Sequence, residues 1–251
     1  MNVLVCVKRV PDMGGRITLT ADGKDIDTKF LGFTISPHEE CAVEEAVRIV
    51  EQHGGSVTVA TLGPEAAIEQ LRNSLALGAH QAVLVETDGR QFGPIGTAEA
   101  IAELAESRGP FELLLFGNES ADAGNYQVGV RVAHLLGLPI VTGVKALEIR
   151  ADSIRARREY QGTGEIFEVD IPAVVTVKEG INLPRYPSLP GRMRATKATI
   201  DKVPARWREE GLTTEMLHVP KQERHTAEVL GHGADAVPKL VALLEEIGIL
   251  A

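Results

Sequence analysis

The first ~145 residues alternate short apolar runs with segments of helical periodicity, and this constrains the fold more than any other feature. "NVLVCVKRV" opens with the near-continuous apolar character of a strand covered on both faces. "PHEECAVEEAVRIVEQHGG" then spaces Val43, Ala46, Val47 and Val50 at helical intervals and ends in a Gly pair suited to a C-cap. "SVTVATLG" reads as a second strand. "PEAAIEQLRNSLALGA" reads as a helix with Pro64 near its start and Ile68, Leu71 and Leu75 on one side. A third strand "QAVLVET", a third helix "PIGTAEAIAELAESRG", a fourth strand "FELLLFG" and a fourth helix "NYQVGVRVAHLLG" follow. Such alternation predicts an α/β fold, a doubly wound, mostly parallel sheet with right-handed crossovers.

Ligands of such sheets sit beyond the carboxyl ends of the strands, near the point where strand order reverses. Three loops leave those ends: "KRVPDMGG", "TLGPE" and "GNESADAGNY". The last leads into a helix whose first turn offers unpaired N–H groups and the positive end of its dipole, the makings of an anion site. Its sequence "GNESADAGNYQVG" matches neither the dinucleotide fingerprint nor the P-loop, so no nucleotide follows from that stretch alone. The bland alternative is a capped helix start with Asp122 or Asn125 as N-cap.

After Pro139 the pattern becomes several extended runs with turn signals and no helix between them, which predicts antiparallel strands extending the sheet. "EGINLPRYPSLPGRMRA" carries Pro184, Pro187 and Pro190, and reads as an exposed loop that can be neither inner strand nor helix. From Lys202 on, apolar residues are sparse until "DAVPKLVALLEEIGIL", a short amphipathic helix with Val237, Leu240, Val241 and Leu244. The expected organisation is a domain over 1–201 and a C-terminal arm over 202–251 that docks on a partner.

Composition narrows the classes. Twenty-six basic against 35 acidic side chains, a formal charge of −9, argue against nucleic acid as a partner. No apolar run approaches the ~18 residues of a membrane span. The N-terminus reads as a strand and not a signal peptide, so a cytoplasmic location is expected without membrane insertion. Cys6 and Cys41, the only cysteines, are too few for a disulfide framework or a thiolate metal site. None of the seven histidines has a spacing such as H-E-x-x-H, so no metal is expected.

"VLVCVKRVPD", "AVEEAVRI", "LGPEAAIEQLRNSLALGA" and "IPAVVTVKEGINLPRYPSLPGRMRATK", in that order across almost the whole chain, resemble the beta subunit of electron transfer flavoprotein. The "NLPRYPSLPG" loop is the most specific of these. The resemblance implies a fold like that of the adenine nucleotide alpha hydrolases, with AMP as a structural ligand. It also implies a heterodimer whose alpha subunit carries the redox-active FAD. Such a carrier takes electrons from acyl-CoA and related dehydrogenases, as in fatty acid oxidation, and passes them to a quinone oxidoreductase. It is not itself an enzyme.

Position by position, the family's AMP contacts fall on Cys6, on Ser36, Pro37, His38 and Glu39, on Leu62, and on the run from Asp122 to Ala133. That run is Asp122, Ala123, Gly124, Asn125, Tyr126, Gln127, Val128, Gly129, Val130, Arg131, Val132 and Ala133. The phosphate is expected over the N–H groups of Asn125, Gln127 and Val128, with Gly124 and Gly129 allowing close approach. Ser36 stands where the family often has an amide, and Glu39, Glu119 and Asp122 must point to ribose hydroxyls or solvent to avoid repelling a phosphate.

The recognition loop, 179–195, is expected to insert Leu189 into an apolar pocket on a dehydrogenase. Tyr186 and Pro187 flank it; proline limits the conformations lost on docking, and Arg192, Arg194 and Lys197 supply steering charge. Glu159 aligns with a Glu that holds the alpha subunit's flavin domain, and Met13 with an aromatic residue near the flavin. Three alternatives stay open: electron bifurcation with FAD in place of AMP, an ATP-dependent enzyme, and a free-standing nucleotide-binding stress protein. "KRVPDMGGR" lacks the Ser/Gly-rich pyrophosphate loop of the enzymes. The family resemblance implies a "DGDTAQVG"-like loop in bifurcating members, so "DAGNYQVG" here favours AMP without excluding FAD.

Overall fold

A computed structural model describes residues 1–251 apart from positions 13, 15, 16, 91, 210–212, 221–226 and 251. Strand β1 (Asn2–Cys6) is followed by two short strands, β2 (Val10–Pro11) and β3 (Phe33–Thr34), which pair with each other. Helix α1 (Pro37–His53) starts at Ser36, whose N–H donates to the Glu39 carboxylate at 3.1 Å in a capping box, with Pro37 in the first turn where no N–H is needed. The chain continues through β4 (Ser56–Gly63), α2 (Ile68–Leu77), β5 (Gln81–Glu86), α3 (Pro94–Arg108), β6 (Leu113–Gly117) and α4 (Val128–Leu136). It then enters the meander β7 (Ile140–Ile149), β8 (Ser153–Tyr160) and β9 (Thr163–Asp170), returns in β10 (Ala173–Val177), and adds α5 (Leu189–Lys197) and β11 (Asp201–Pro204). A final helix, α6 (Val237–Glu246), follows.

The main sheet has nine strands in the order β11-β5-β4-β1-β6-β10-β7-β8-β9. Pairing is parallel from β11 to β7 and antiparallel only in β7-β8-β9. Val3, Leu4 and Val5 of β1 have no exposure, as the middle of a sheet covered on both faces demands. One apolar cluster lies under α1 and α2 with Val43, Val47, Leu71 and Leu75; the other lies under α3 and α4 with Ile101, Leu104 and Val132. The α/β fold expected from the sequence is therefore present.

Two expectations after Pro139 need correction. The strand "AVVTV" does not continue the antiparallel meander: β10 slots between β6 and β7, parallel to both. All five of its residues are buried, so it needs a two-sided site inside the sheet. The proline-rich segment is extended only as far as Ser188. From Leu189 it is a helix, because Pro190 falls in the first turn and the Ser188 side chain accepts the Gly191 N–H at 3.1 Å.

Two compact units divide the chain between Glu215 and Met216. β11 pairs in parallel with β5, so residues 202–204, read from sequence as the start of the arm, complete a sheet edge in the first unit. The second unit, by itself, contains α6, with Val237, Leu240, Val241 and Leu243 exposed. Among the described residues no helix is long and apolar enough to cross a membrane.

Candidate functional site

The chain moves from β1 to β4 and β5 on one side, whereas β6 lies on the other side of β1. The loops leaving β1 and β6 therefore diverge and leave a crevice at the carboxyl ends of the strands. A cleft of about 370 Å³ lies there, at the lower end of the ~300–1,000 Å³ range of ligand sites. The segment from Cys6 to Arg9 after β1 lines it, with Thr61 to Pro64 at the end of β4, Gly117 to Ser120 after β6, and Asn125 to Gly129 leading into α4. Phe92, Gly93, Pro94 and Thr97 at the start of α3 form another wall.

The start of α4 is set by an unusual backbone. Tyr126 has φ of 56°, a left-handed conformation that places Gln127 as N-cap, and no side chain caps the first turn. The helix thus begins later than the sequence reads, and neither Asp122 nor Asn125 is the cap. Gly129 is required inward: a Cβ there would lie 2.8 Å from Thr176 Cγ2 and 3.4 Å from the Phe116 ring. This close seating presses the uncapped turn against β6 and β10, at the cleft wall.

The three acidic groups expected to repel a phosphate are held in different ways. Lys8 Nζ donates to Asp122 Oδ2 at 2.6 Å and to Oδ1 at 2.8 Å, bridging the β1 and β6 loops. Burial would raise the Asp122 carboxyl, but the Lys8 ammonium and hydrogen bonds from Ser120 and the Ala123 N–H hold it below its ordinary value. Glu39 is buried in the floor of the cleft, and burial pushes its carboxyl up to about 8, against hydrogen bonds from the Lys8 and Ser36 N–H groups. Glu119 accepts from Tyr126 and lies 3.4 Å from His38 Nε2. Burial also pushes the Cys6 thiol up, so it contributes a small apolar wall and not a thiolate.

Of the residues selected from sequence, Cys6, Glu39, Leu62, Ala123, Asn125, Tyr126, Gln127, Val128 and Gly129 line the cleft. Others do not. Ser36 is fully buried, and its hydroxyl accepts the Ala121 N–H at 2.9 Å, so it braces the β6 loop. Pro37 opens α1, and His38 Nδ1 accepts the Glu179 N–H at 3.2 Å. Asp122 is turned to Lys8, and Gly124 makes a turn with φ of 55°. Val132 and Ala133 belong to the core, and Arg131 donates to Gln127 Oε1 at 2.8 Å along the helix. Val130 lines a neighbouring depression shared with Arg158, Glu159 and Lys178. Met13 lies outside the described residues.

The cleft also has residues that sequence reasoning did not select: Lys8, Arg9, Asn118, Thr176 and Arg90. Asn118 Oδ1 accepts the Thr176 hydroxyl at 2.8 Å, joining β6 to β10. The paired cations directly after an apolar first strand were the available signal for Lys8 and Arg9.

The segment before α5 and the first turns of α5 present their apolar side chains outward: Leu183, Tyr186, Leu189 and Met193 are 83%, 95%, 73% and 56% exposed. Pro187 is half-buried. Beneath them, Glu44 is buried and accepts from Arg185 Nε at 2.8 Å, the Arg185 N–H at 3.1 Å and Arg48 Nε at 2.6 Å. Arg194 Nη2 reaches Leu75 O at 3.5 Å, so it braces α5 on α2 as well as carrying charge. Glu159 is an exposed strand carboxylate 3.3 Å from Arg157 Nη2. Among the described residues no cluster of His, Cys, Asp or Glu could hold a metal ion.

A mostly parallel α/β sheet with a cleft at its switch point defines the structural class. Comparison with known proteins names the family within it. The pattern of the Electron transfer flavoprotein domain matches residues 26–206. The chain is 37% identical over 205 residues to the electron transfer flavoprotein subunit beta of Bacillus subtilis (strain 168), covering 81% of this chain and 79% of that one. It is 33% identical over 255 residues to the subunit beta of Bradyrhizobium diazoefficiens, covering 100% of both. With the subunit beta of Mus musculus it shares 33% identity over 252 residues, covering 99% and 98%. The chain belongs to the electron transfer flavoprotein family and aligns with its beta subunits.

Proposed function

We propose that this chain is the beta subunit of a heterodimeric electron transfer flavoprotein, with AMP held in the cleft as a structural ligand. It is not catalytic by itself. The observation that carries this reading is the uncapped first turn of α4 facing a cleft that also contains Lys8, in a chain of this family. Free N–H donors, a helix dipole and an ammonium suit a phosphate. The raised Glu39 carboxyl and the Lys8-paired Asp122 reduce the repulsion that the acidic composition suggests. A cleft of about 370 Å³ lies within the ~300–1,000 Å³ range of small-ligand sites.

The redox-active FAD belongs in this reading to the alpha subunit, where it supplies the one-electron chemistry. This chain's part is to orient and dock. The exposed apolar face of α6 packs on the alpha subunit. Leu189 and its neighbours meet acyl-CoA-type dehydrogenases, whose electrons go on to a quinone oxidoreductase. The test is to co-express the chain with its alpha subunit, denature the purified complex and count nucleotides. One FAD and one AMP per heterodimer is the expected result. Two FAD would establish the bifurcating form, and no stable partner would return the stress-protein reading.

A further inference from the structure

Arg90 lines the cleft, yet everything that orients it lies outside. Its Nε donates to both Asp88 oxygens at 2.9 and 2.8 Å, and Nη2 makes a further bond to Asp88 Oδ2. Its guanidinium carbon sits 4.7 Å from the centroid of the Trp207 ring. Trp207 is the only tryptophan of the chain and is not a cleft residue. It belongs to a strap, residues 205–209, that runs from the end of β11 along α3. The Ala205 N–H donates to Glu86 O at 2.9 Å, Arg206 lies 3.8 Å from Glu103, and Arg208 pairs with Glu99. Glu99 and Glu103 are one turn apart on α3, so they hold the strap at two points.

We propose that Arg90 and Trp207 form a latch through which an anionic nucleotide in the cleft and the strap 205–209 stabilise one another. The proposal rests on the nucleotide reading of the cleft. Arginine can present its planar face to an indole while its edge binds an anion. Asp88 and Trp207 hold the guanidinium in one orientation before a ligand arrives, which lowers the cost of ordering it on binding. Coupling between two sites is reciprocal. A nucleotide that uses Arg90 therefore fixes the Arg90–Trp207 stack, and the stack raises nucleotide affinity. Trp207 is thus a positioning residue that touches no ligand.

The test uses the full chain, stripped of nucleotide, titrated with AMP while Trp207 emission and its quenching by acrylamide are followed. Equilibrium dialysis measures AMP binding independently. In the wild type, emission shifts and quenching falls with the same midpoint as binding. Arg90→Ala loses the emission response and weakens AMP binding. Trp207→Ala weakens it by about two- to fivefold, the factor that an exposed cation–π contact of about 0.5–1 kcal/mol represents. Trp207→Phe, which keeps an aromatic face, restores most of the affinity, whereas Trp207→Leu, which keeps apolar bulk without a π face, does not; equal affinity for these two variants would mark a purely structural strap and overturn the latch. AMP that binds the wild type while Trp207 stays silent, or Trp207→Ala with unchanged affinity, overturns the latch. Failure of AMP to bind the wild type overturns the nucleotide reading and the latch with it.

Discussion

Replacing Glu44 by Gln tests how the outward-facing segment before α5 is held. The Glu44 side chain is 2% exposed and accepts four hydrogen bonds: Arg48 Nε at 2.6 Å, Arg185 Nε at 2.8 Å, the Arg185 N–H at 3.1 Å and Arg185 Nη2 at 3.2 Å. Gln keeps the volume but has one acceptor oxygen, and its amide must face guanidinium donors. Removing one partner of a buried pair costs ~3–5 kcal/mol. Arg48 and Arg185 are 44% and 35% exposed, and Arg185 keeps Glu51 at 2.7 Å, so the lower end applies, about 3 kcal/mol. At ~2–4 °C per kcal/mol for a chain of this size, Tm should fall by about 6–12 °C at pH 7.

The same pair predicts a pH dependence. Burial would raise the Glu44 carboxyl, but hydrogen bonds from Arg185 and Arg48 hold it below 4.5. A depressed folded value contributes stability above pH 4.5 and loses it as pH falls through the folded value. The deficit of Glu44→Gln should therefore shrink on acidification below that point. Thermal melts by circular dichroism at pH 7 and pH 3.5, with limited proteolysis between Asn182 and Ser188, read both effects. A Tm within about 2 °C of wild type at pH 7, or a deficit that persists undiminished in acid, refutes the buried-pair argument.

Glu39→Gln should act in the opposite sense. The unfolded carboxyl titrates near 4.5 and the folded one near 8, so wild-type stability is full below the first value and lost as pH rises toward the second. The variant should gain on wild type by a few kcal/mol, at most, between pH 5 and 8 in urea titrations of the nucleotide-free chain; parallel curves would refute it. Gly129→Ala should cost about 1–3 kcal/mol, read as a lower urea midpoint, because its Cβ meets Thr176 and Phe116. Lys8→Met should weaken AMP about three- to tenfold in equilibrium dialysis, consistent with a partly exposed charge-assisted contact. Leu189→Ala should raise KM for an acyl-CoA-type dehydrogenase about tenfold with Tm unchanged, since this Leu is 73% exposed in the unbound chain.

The sheet and the loops that form the cleft are legible because burial on both faces writes apolar runs into β1, β4, β5 and β6. The place of β10 is not, since "AVVTV" would suit any covered strand and its insertion between β6 and β7 is settled by tertiary pairing. Proline punctuation is read correctly up to Ser188. It misleads at Pro190, because a missing N–H has no cost in a first helical turn. The loop from Gly117 to Gly129 is legible as a wall of the cleft by position alone. Its chemistry is less so: the Lys8–Asp122 pair joins residues 114 apart, and the left-handed residue that delays α4 is Tyr126, not the Gly124 or Asn125 before it. Arg90 is silent in sequence because its partner Trp207 arrives only after β11 has crossed to β5.

The segment from Asn182 to Ala195 keeps two jobs on separate side chains. Asn182, Arg185, Gly191 and Ala195 face the domain: Asn182 donates to Cys41 O at 3.0 Å, Arg185 pairs with Glu44, and a Cβ on Gly191 would lie 2.6 Å from Ala76 O. Leu183, Tyr186, Leu189 and Met193 face solvent. The inward set fixes a mould and the outward set is type that can be reset in it. On the proposed reading, substitutions in the outward set change which dehydrogenase is addressed and leave the folding untouched, so several addresses can be written on one unaltered domain.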